Sequence, residues 1–415
     1  MFNHPMRFAK FVAFLTLMIA GLSSKALAAT DSLLLKKINT LAATVGKSLA
    51  PDKRTAVYNI EVKEGAVPEV TVETTLPQAV DSLRAAFSKA GIKTAITPKL
   101  LPDSAMGDQR YAVVTLSVAN NRHTPSHGAE MMTQMMMGTP VELLKKQGGY
   151  YLVRSPDFYI SWVDHDALAI MDAKAFNDWK AAPKLIYTAD FGFSNAEPTM
   201  KSLRVSDLVK GNLFKLIAKE KGFYKIAYPD QRIAYIRTEE ATDYQNWVSR
   251  PNPTAEQLLS TAKTFMGVPY LWGGTSLKGV DCSGFTKTAF FLNGIIIPRD
   301  ASQQVLVGEP VDVFEGDTVN FQKSVKNLLP GDLLFFALAK GKVPNPRITH
   351  VAIYMGEGRF IQSAGRVKIN SLDPNAADYA PSQALTMMSA RRILPAIGTT
   401  EIIRVDQHPL YTAPK

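Results

Sequence analysis

Only one cysteine, Cys282, occurs in 415 residues. A lone cysteine cannot form an internal disulfide, so the fold must be held by hydrophobic cores. Basic residues are scattered, with no Arg/Lys-rich block and no basic stretch interleaved with aromatics, which points away from nucleic acid. The six histidines are also sparse. His123 and His127 stand four apart with Pro125 between them, and no acidic partner follows at ligand spacing, so no metal and no cofactor is expected. Beyond the first residues, no stretch approaches roughly 20 uncharged apolar residues, so no transmembrane anchor is expected.

The start of the chain carries Arg7 and Lys10, an uncharged apolar run from Phe11 to Leu22, and the small-x-small site Ala26-Leu27-Ala28. That order predicts a signal peptide over residues 1–28 and an exported protein, periplasmic or extracellular. With 46% hydrophobic and 20% charged residues, the rest is ordinary globular material with room for several domains. The formal net charge of +10 includes three cations of the leader. The remaining positive excess favours acidic partners such as wall polymer or an anionic surface. An unpaired cysteine in an exported protein is either buried and inert or kept for its reactivity.

A repeat occupies the middle of the chain. Shifting by 73 residues carries Pro125 onto Pro198, Gly138 onto Gly211, Gly149 onto Gly222, Pro156-Asp157 onto Pro229-Asp230 and Trp162-Val163 onto Tyr235-Ile236. Short apolar runs separated by Gly, Pro-Asp and Lys-Gly turns are the pattern of small β-barrels. Two are expected, over 109–183 and 184–248. The first resembles the bacterial SH3-like domain in Ser117-Val118-Ala119-Asn120-Asn121-Arg122, Gly138-Thr139-Pro140-Val141 and Tyr159-Ile160-Ser161-Trp162-Val163. The second has Asn195 for the arginine and Tyr235 for the tryptophan, so its assignment follows from the repeat. Met131 to Met137 is adaptable apolar packing, expected at a domain interface. Ahead of the repeat, residues 29–108 predict a mixed α/β segment packed on the first barrel, with helices over 33–49 and 76–90 and a strand over 56–62.

A proline-bearing linker, Ser249-Arg250-Pro251-Asn252-Pro253, opens a third unit over 254–398, leaving 399–415 as a C-terminal tail. Thr254 can cap a helix whose apolar positions Leu258, Leu259, Ala262 and Phe265 share a face. Cys282 then stands at the start of an apolar, helix-like stretch, and strand-like runs follow at 332–336, 350–355 and 359–362. A helix carrying a nucleophile, followed by an antiparallel sheet carrying a base, is the papain-like order. A free thiol has a pKa of about 8.5, and a helix N-terminus with a neighbouring imidazole favours its thiolate. His350, at the mouth of a strand, is the best-placed imidazole. Its ring needs an orienting partner, for which Gln362 and Asp373 are rivals. Trp272 reads as core.

These motifs resemble the NlpC/P60 family of cell-wall cysteine peptidases, at Tyr270-Leu271-Trp272-Gly273-Gly274, Asp281-Cys282-Ser283-Gly284-Phe285, Leu329-Pro330-Gly331-Asp332-Leu333 and His350-Val351-Ala352-Ile353-Tyr354. With SH3-like domains ahead, the chain is similar to γ-D-glutamyl-L-diamino acid endopeptidases of the YkfC type. The fold class implied is α+β, a papain-like domain preceded by two SH3-like barrels. The resemblance implies that Cys282 attacks the γ-carbonyl of D-glutamate and that His350 shuttles the proton. Gln362 stands where many members have histidine. It implies further that the Cys282 N–H and Tyr270 hydroxyl face the oxyanion. Asp281 and Ser283 would line the substrate side, and Glu130 of the first barrel, with Tyr159 a weaker candidate, would wall the cleft and hold the substrate's free amine. Asp281 can equally cap the helix. The expected partners are peptidoglycan-derived peptides met by a monomer. Two alternatives stay open: an amidase or acyltransferase on another acyl group, and a wall-binding protein without turnover.

Overall fold

The computed structural model describes residues 32–65, 67–316 and 318–413. The signal peptide assigned to 1–28 lies outside them. Among the described residues no helix is long and apolar enough to cross a membrane. The chain divides after Ser104 into two compact units.

In the N-terminal unit, a helix over residues 32–49 turns Ile38 and Ala42 inward, with Leu34, Leu41 and Val45 at their flanks. That i, i+3, i+4 spacing is the apolar stripe of a half-buried helix. The strands Tyr58–Lys63 and Glu69–Thr74 pair antiparallel, and Ala95–Leu100 joins the second in parallel. A parallel pair needs a crossover. The helix Pro77–Lys89 supplies it and buries Ala79, Val80, Leu83 and Phe87.

The repeat found by shifting the sequence is a repeat of strands. Strands Tyr111–Val114, Val118–Arg122, Met131–Met136, Pro140–Gln147, Tyr150–Arg154 and Ile160–Asp164 recur 73 residues later as Lys184–Tyr187, Phe191–Asn195, Arg204–Val209, Leu213–Glu220, Phe223–Ala227 and Ile233–Arg237. Each copy adds one more strand, and the two seven-stranded sheets have the same order. Both copies take a left-handed backbone at matching turns, Gly148 with Lys221 and Phe158 with Gln231. The copies also meet. Met136 of the first packs in one cluster with Val209 and Leu213 of the second and with Phe291 and Ile296 of the third region. The methionine run therefore does lie at a domain junction.

In that third region Thr254 caps the helix Ala255–Lys263 with a capping box to Gln257. A six-stranded antiparallel sheet runs in the order Glu309–Pro310, Met387–Arg392, Leu333–Phe336, His350–Gly356, Arg359–Ala364, Arg366–Ser371. Because side chains alternate across a strand, Leu333, Phe335, Val351, Ile353 and Ile361 join the core that includes Phe285, Ala289 and Phe290 of the helix Cys282–Phe291. Leu334, Phe336, Ala352, Tyr354 and Phe360 form a second cluster. Residues past 398 are built into the fold: Ile403–Arg404 pairs with Ile295–Ile296, and Val405 and Tyr411 enter the junction cluster.

Candidate active site

Two glycines bring the helix that begins at Cys282 hard against the turn before it. A Cβ on Gly284 would lie 2.0 Å from the Gly274 carbonyl oxygen, and one on Gly274 would lie 2.4 Å from that of Gly279. Backbone approach that close admits only glycine. Cys282 is the first residue of the helix, and Asp281 caps it, its Oδ1 accepting from the Gly284 N–H at 2.6 Å. The positive end of the helix therefore faces the thiol.

The Cys282 thiol touches backbone on both sides of His350. Sγ lies 3.9 Å from the Thr349 carbonyl oxygen, and the Val351 N–H donates toward it. Burial pushes the thiol up to about 12, and the Asp281 carboxylate adds to this, while the Val351 and Ser283 N–H groups and Arg299 pull it down. His350 opens its strand, with its ring against Phe336. Burial holds its pKa below the ordinary value, opposed by the Gln362 hydrogen bond and the Asp281 charge.

Of the two rivals, Gln362 is the one within hydrogen-bond reach of the imidazole. Its Oε1 lies 2.6 Å from His350 Nε2, so that bond does not engage the other ring nitrogen, Nδ1. The rival Asp373 is spent on its own turn, accepting from the Asn375 N–H at 2.9 Å. Tyr270 is half-buried, and burial raises its hydroxyl, with the Cys282 and Asp281 charges adding to the effect. Those causes place it in the electrostatic neighbourhood of Cys282.

Sequence reasoning missed Arg299. It is 1% exposed and donates from both terminal nitrogens to Asp281, at 2.6 and 3.2 Å. It also donates to Ser283 Oγ at 3.0 Å and, from Nε, to Thr133 of the first SH3-like sheet at 2.6 Å. Asp281 accepts in addition from the Gly273 N–H at 2.9 Å, so its carboxylate is fully engaged by protein groups. Ser283 is 4% exposed. Tyr159, 1% exposed, donates its hydroxyl to Asp300 at 3.2 Å and so ties the first sheet to the segment bearing Arg299.

Glu130 is exposed and accepts at 2.9 Å from the Trp272 indole N–H. Trp272 is not core, as the sequence suggested, but 61% exposed. Its neighbour explains this: Gly273 takes a φ of +77° against the Met131 backbone, lifting the preceding indole to the surface beside Glu130. Among the described residues, Asp164, His165 and Asp166 bring metal-ligating atoms within 4.8 Å of one another, in an exposed turn of the first sheet.

Comparisons with known proteins identify two of the chain's regions. The model of the NlpC/P60 family matches residues 267–385, and that of the bacterial dipeptidyl-peptidase Sh3 domain matches residues 121–168. The chain is 31% identical over 277 residues to a γ-D-glutamyl-L-lysine dipeptidyl-peptidase of Bacillus cereus, covering 64% of this chain and 76% of that one. It is 26% identical over 296 residues to dipeptidyl-peptidase 6 of Lysinibacillus sphaericus, covering 66% and 97%. The crystal structure of an NlpC/P60 family protein from Bacillus cereus aligns with a TM-score of 0.56 at 26% identity, covering 69% of this chain and all of that one. With a thiol at a helix N-terminus beside a strand-borne imidazole, and with relatives aligned through the SH3-like domain as well, the chain belongs to the NlpC/P60 family of cell-wall peptidases.

Proposed function

We propose that the protein cleaves the bond between the γ-carboxyl of D-glutamate and the next L-diamino acid, meso-diaminopimelate or lysine, in murein peptides with a free N-terminal L-alanine. The observation that carries this is the Cys282 thiol set against the backbone on either side of His350, whose far nitrogen is held by Gln362 at 2.6 Å. Such a dyad suits acyl transfer. His350 takes the thiol proton as Cys282 attacks the γ-carbonyl, and gives it to the departing amine. Water, deprotonated by His350, then hydrolyses the thioester and frees the dipeptide acid. The Cys282 N–H and the Tyr270 hydroxyl face the developing oxyanion.

The free amine meets Glu130, the exposed carboxylate, with buried Asp281 behind it. The α-carboxylate of D-glutamate meets Ser283, whose hydroxyl is backed by the Arg299 guanidinium at 3.0 Å. Two relatives named dipeptidyl-peptidases support a substrate read from its N-terminus. The signal peptide expected over residues 1–28 supports action outside the cytoplasm.

The test is mass spectrometry of products from L-Ala-γ-D-Glu-meso-diaminopimelate and its N-acetylated form, with native protein and Cys282→Ala. Release of L-Ala-D-Glu from the free-amine substrate alone, lost in the variant, is the expected result. Equal cleavage of both would remove the amine requirement. No cleavage of either would favour another acyl substrate or a wall-binding role.

A further inference from the structure

The proton shuttle above requires a lone pair on His350 Nδ1, and that depends on which way a neighbouring amide is turned. An amide presents an oxygen or an NH2, and only its other contacts decide which. Here they form a row of hydrogen bonds with one unambiguous end. The Asp378 backbone carbonyl can only accept, and it does so from Asn370 Nδ2 at 3.2 Å. With its NH2 committed there, Asn370 offers Oδ1 to Gln362, accepting from Nε2 at 2.8 Å. Gln362 therefore offers Oε1 to His350 Nε2 at 2.6 Å, and Gln383 donates weakly to the same oxygen at 3.4 Å. An oxygen there requires the hydrogen on Nε2, which leaves the lone pair of the neutral ring on Nδ1.

We propose that Asn370 is a positioning residue that sets the tautomer of His350 by holding the Gln362 amide oxygen-first. Asn370 stands opposite Phe360 in the strand pairing and Gln362 opposite Lys368, so the two amides are diagonal neighbours on one sheet face. Turned around, Gln362 would donate to Nε2. The ring hydrogen would move to Nδ1, and no acceptor would remain for the thiol proton. The proposal rests on His350 being the base, but its primary readout needs no substrate.

The experiment is 15N NMR of histidine-labelled protein above the titration of His350, with its signals assigned by His350→Ala. Native protein should show a protonated Nε2 and a bare Nδ1. Asn370→Leu should add the opposite tautomer and lower kcat about tenfold, the scale of one hydrogen bond, with KM held. Asn370→Asp keeps an acceptor toward Gln362 and should keep the native tautomer, which covers a failure of the leucine variant to fold. In a Gln362→Glu background both side-chain oxygens accept, so Asn370→Leu should cost less than about twofold there. A native ring protonated on Nδ1, or an equal loss from Asn370→Leu in both backgrounds, would overturn the proposal. The expected tautomers with no hydrolysis of any murein peptide would instead sink the substrate assignment.

Discussion

The Trp272 indole N–H donates to the Glu130 carboxylate at 2.9 Å, joining the turn before Cys282 to the strand entrance of the first SH3-like sheet. Glu130 is thereby held in one orientation although it is exposed, and the Trp272 ring, 61% exposed, presents an apolar face beside it. A held carboxylate meets a free ammonium without the entropy of being ordered. Trp272→Phe keeps the ring and removes the donor. It should raise KM for the free-amine tripeptide about threefold to tenfold, with kcat within about twofold, as loss of uniform binding does. Glu130→Gln should do at least as much. Steady-state kinetics on free and N-acetylated substrate check this, and an equal effect on both would remove the amine contact.

The parts of this site that were legible in the sequence are those written as local patterns. Cys282 sits where turn glycines meet an apolar helix, and His350 opens a continuous apolar run, so chemistry and element agree at each position. The 73-residue shift located strands because β-strands and their turns repeat by position even where side chains change, as from Trp162 to Tyr235. Arg299 was not legible. In Pro298-Arg299-Asp300 a cation beside a proline reads as a solvated turn, and only folding shows it 1% exposed between Asp281, Ser283 and Thr133. Asn370 and Gln383 were hidden for the same reason, since their partners lie across strands or on another element. Trp272 was misread because an aromatic in a glycine turn is usually buried, and the close approach of Gly273 to Met131 could not be foreseen.

The pH profile follows from burial of the dyad. Burial holds His350 below 6.5 and raises Cys282 to about 12. The resting pair at pH 7 is therefore a neutral thiol and a neutral imidazole. Activity fails when the imidazole is protonated, so the acid limb of kcat/KM should have its midpoint below pH 6.5, with no fall through pH 9. Gln362→Glu places a carboxylate charge beside Nε2 and should move that limb up by about one unit or more. Stability has the same sign. The unfolded chain takes up the proton first as pH falls, so the contribution of His350 is full above 6.5 and is lost as pH drops through its folded value. An acid limb above pH 7 in the native protein would contradict this.

Gly284 tests whether the nucleophile is placed by backbone contact. Any side chain there meets the Gly274 carbonyl at 2.0 Å, and neither partner is a flexible side chain that could swing away. Gly284→Ala should therefore push the helix off the Gly273-Gly274 turn, costing about 1–3 kcal/mol of stability as overpacking does. Because Cys282 lies two residues away, kcat should fall by about a hundredfold or more, the cost of misplacing a reacting group by an ångström. Gly294→Ala is the control. It lies past the same helix with nothing within 4 Å of a Cβ, so its cost is the strain of its φ of +80° without a clash. Urea denaturation and kinetics on both variants separate the two effects.

Arg299 and Asp281 make the most demanding prediction, because each is costly to bury alone. Burial works against the Arg299 charge, and the Asp281 carboxylate more than restores it through two hydrogen bonds. Arg299→Met removes the cation and leaves a carboxylate behind the thiol with only the Gly273 and Gly284 N–H groups and the Ser283 hydroxyl. Breaking one side of a buried pair costs about 3–5 kcal/mol. Asp281→Asn should also be costly, leaving the guanidinium only the Asp300 carboxylate, 3.7 Å away, and weakening the cap. The double variant Arg299→Met/Asp281→Asn should recover part of the loss, with a coupling of about 1–3 kcal/mol measured in a urea double-mutant cycle. Arg299→Lys should not rescue. A single ammonium cannot reach both Asp281 oxygens, Ser283 and Thr133 at once, and the Thr133 bond is the one that carries the brace into the SH3-like sheet. Additive losses would mean that the two side chains stabilise the site independently and that Arg299 does not hold Asp281 in place.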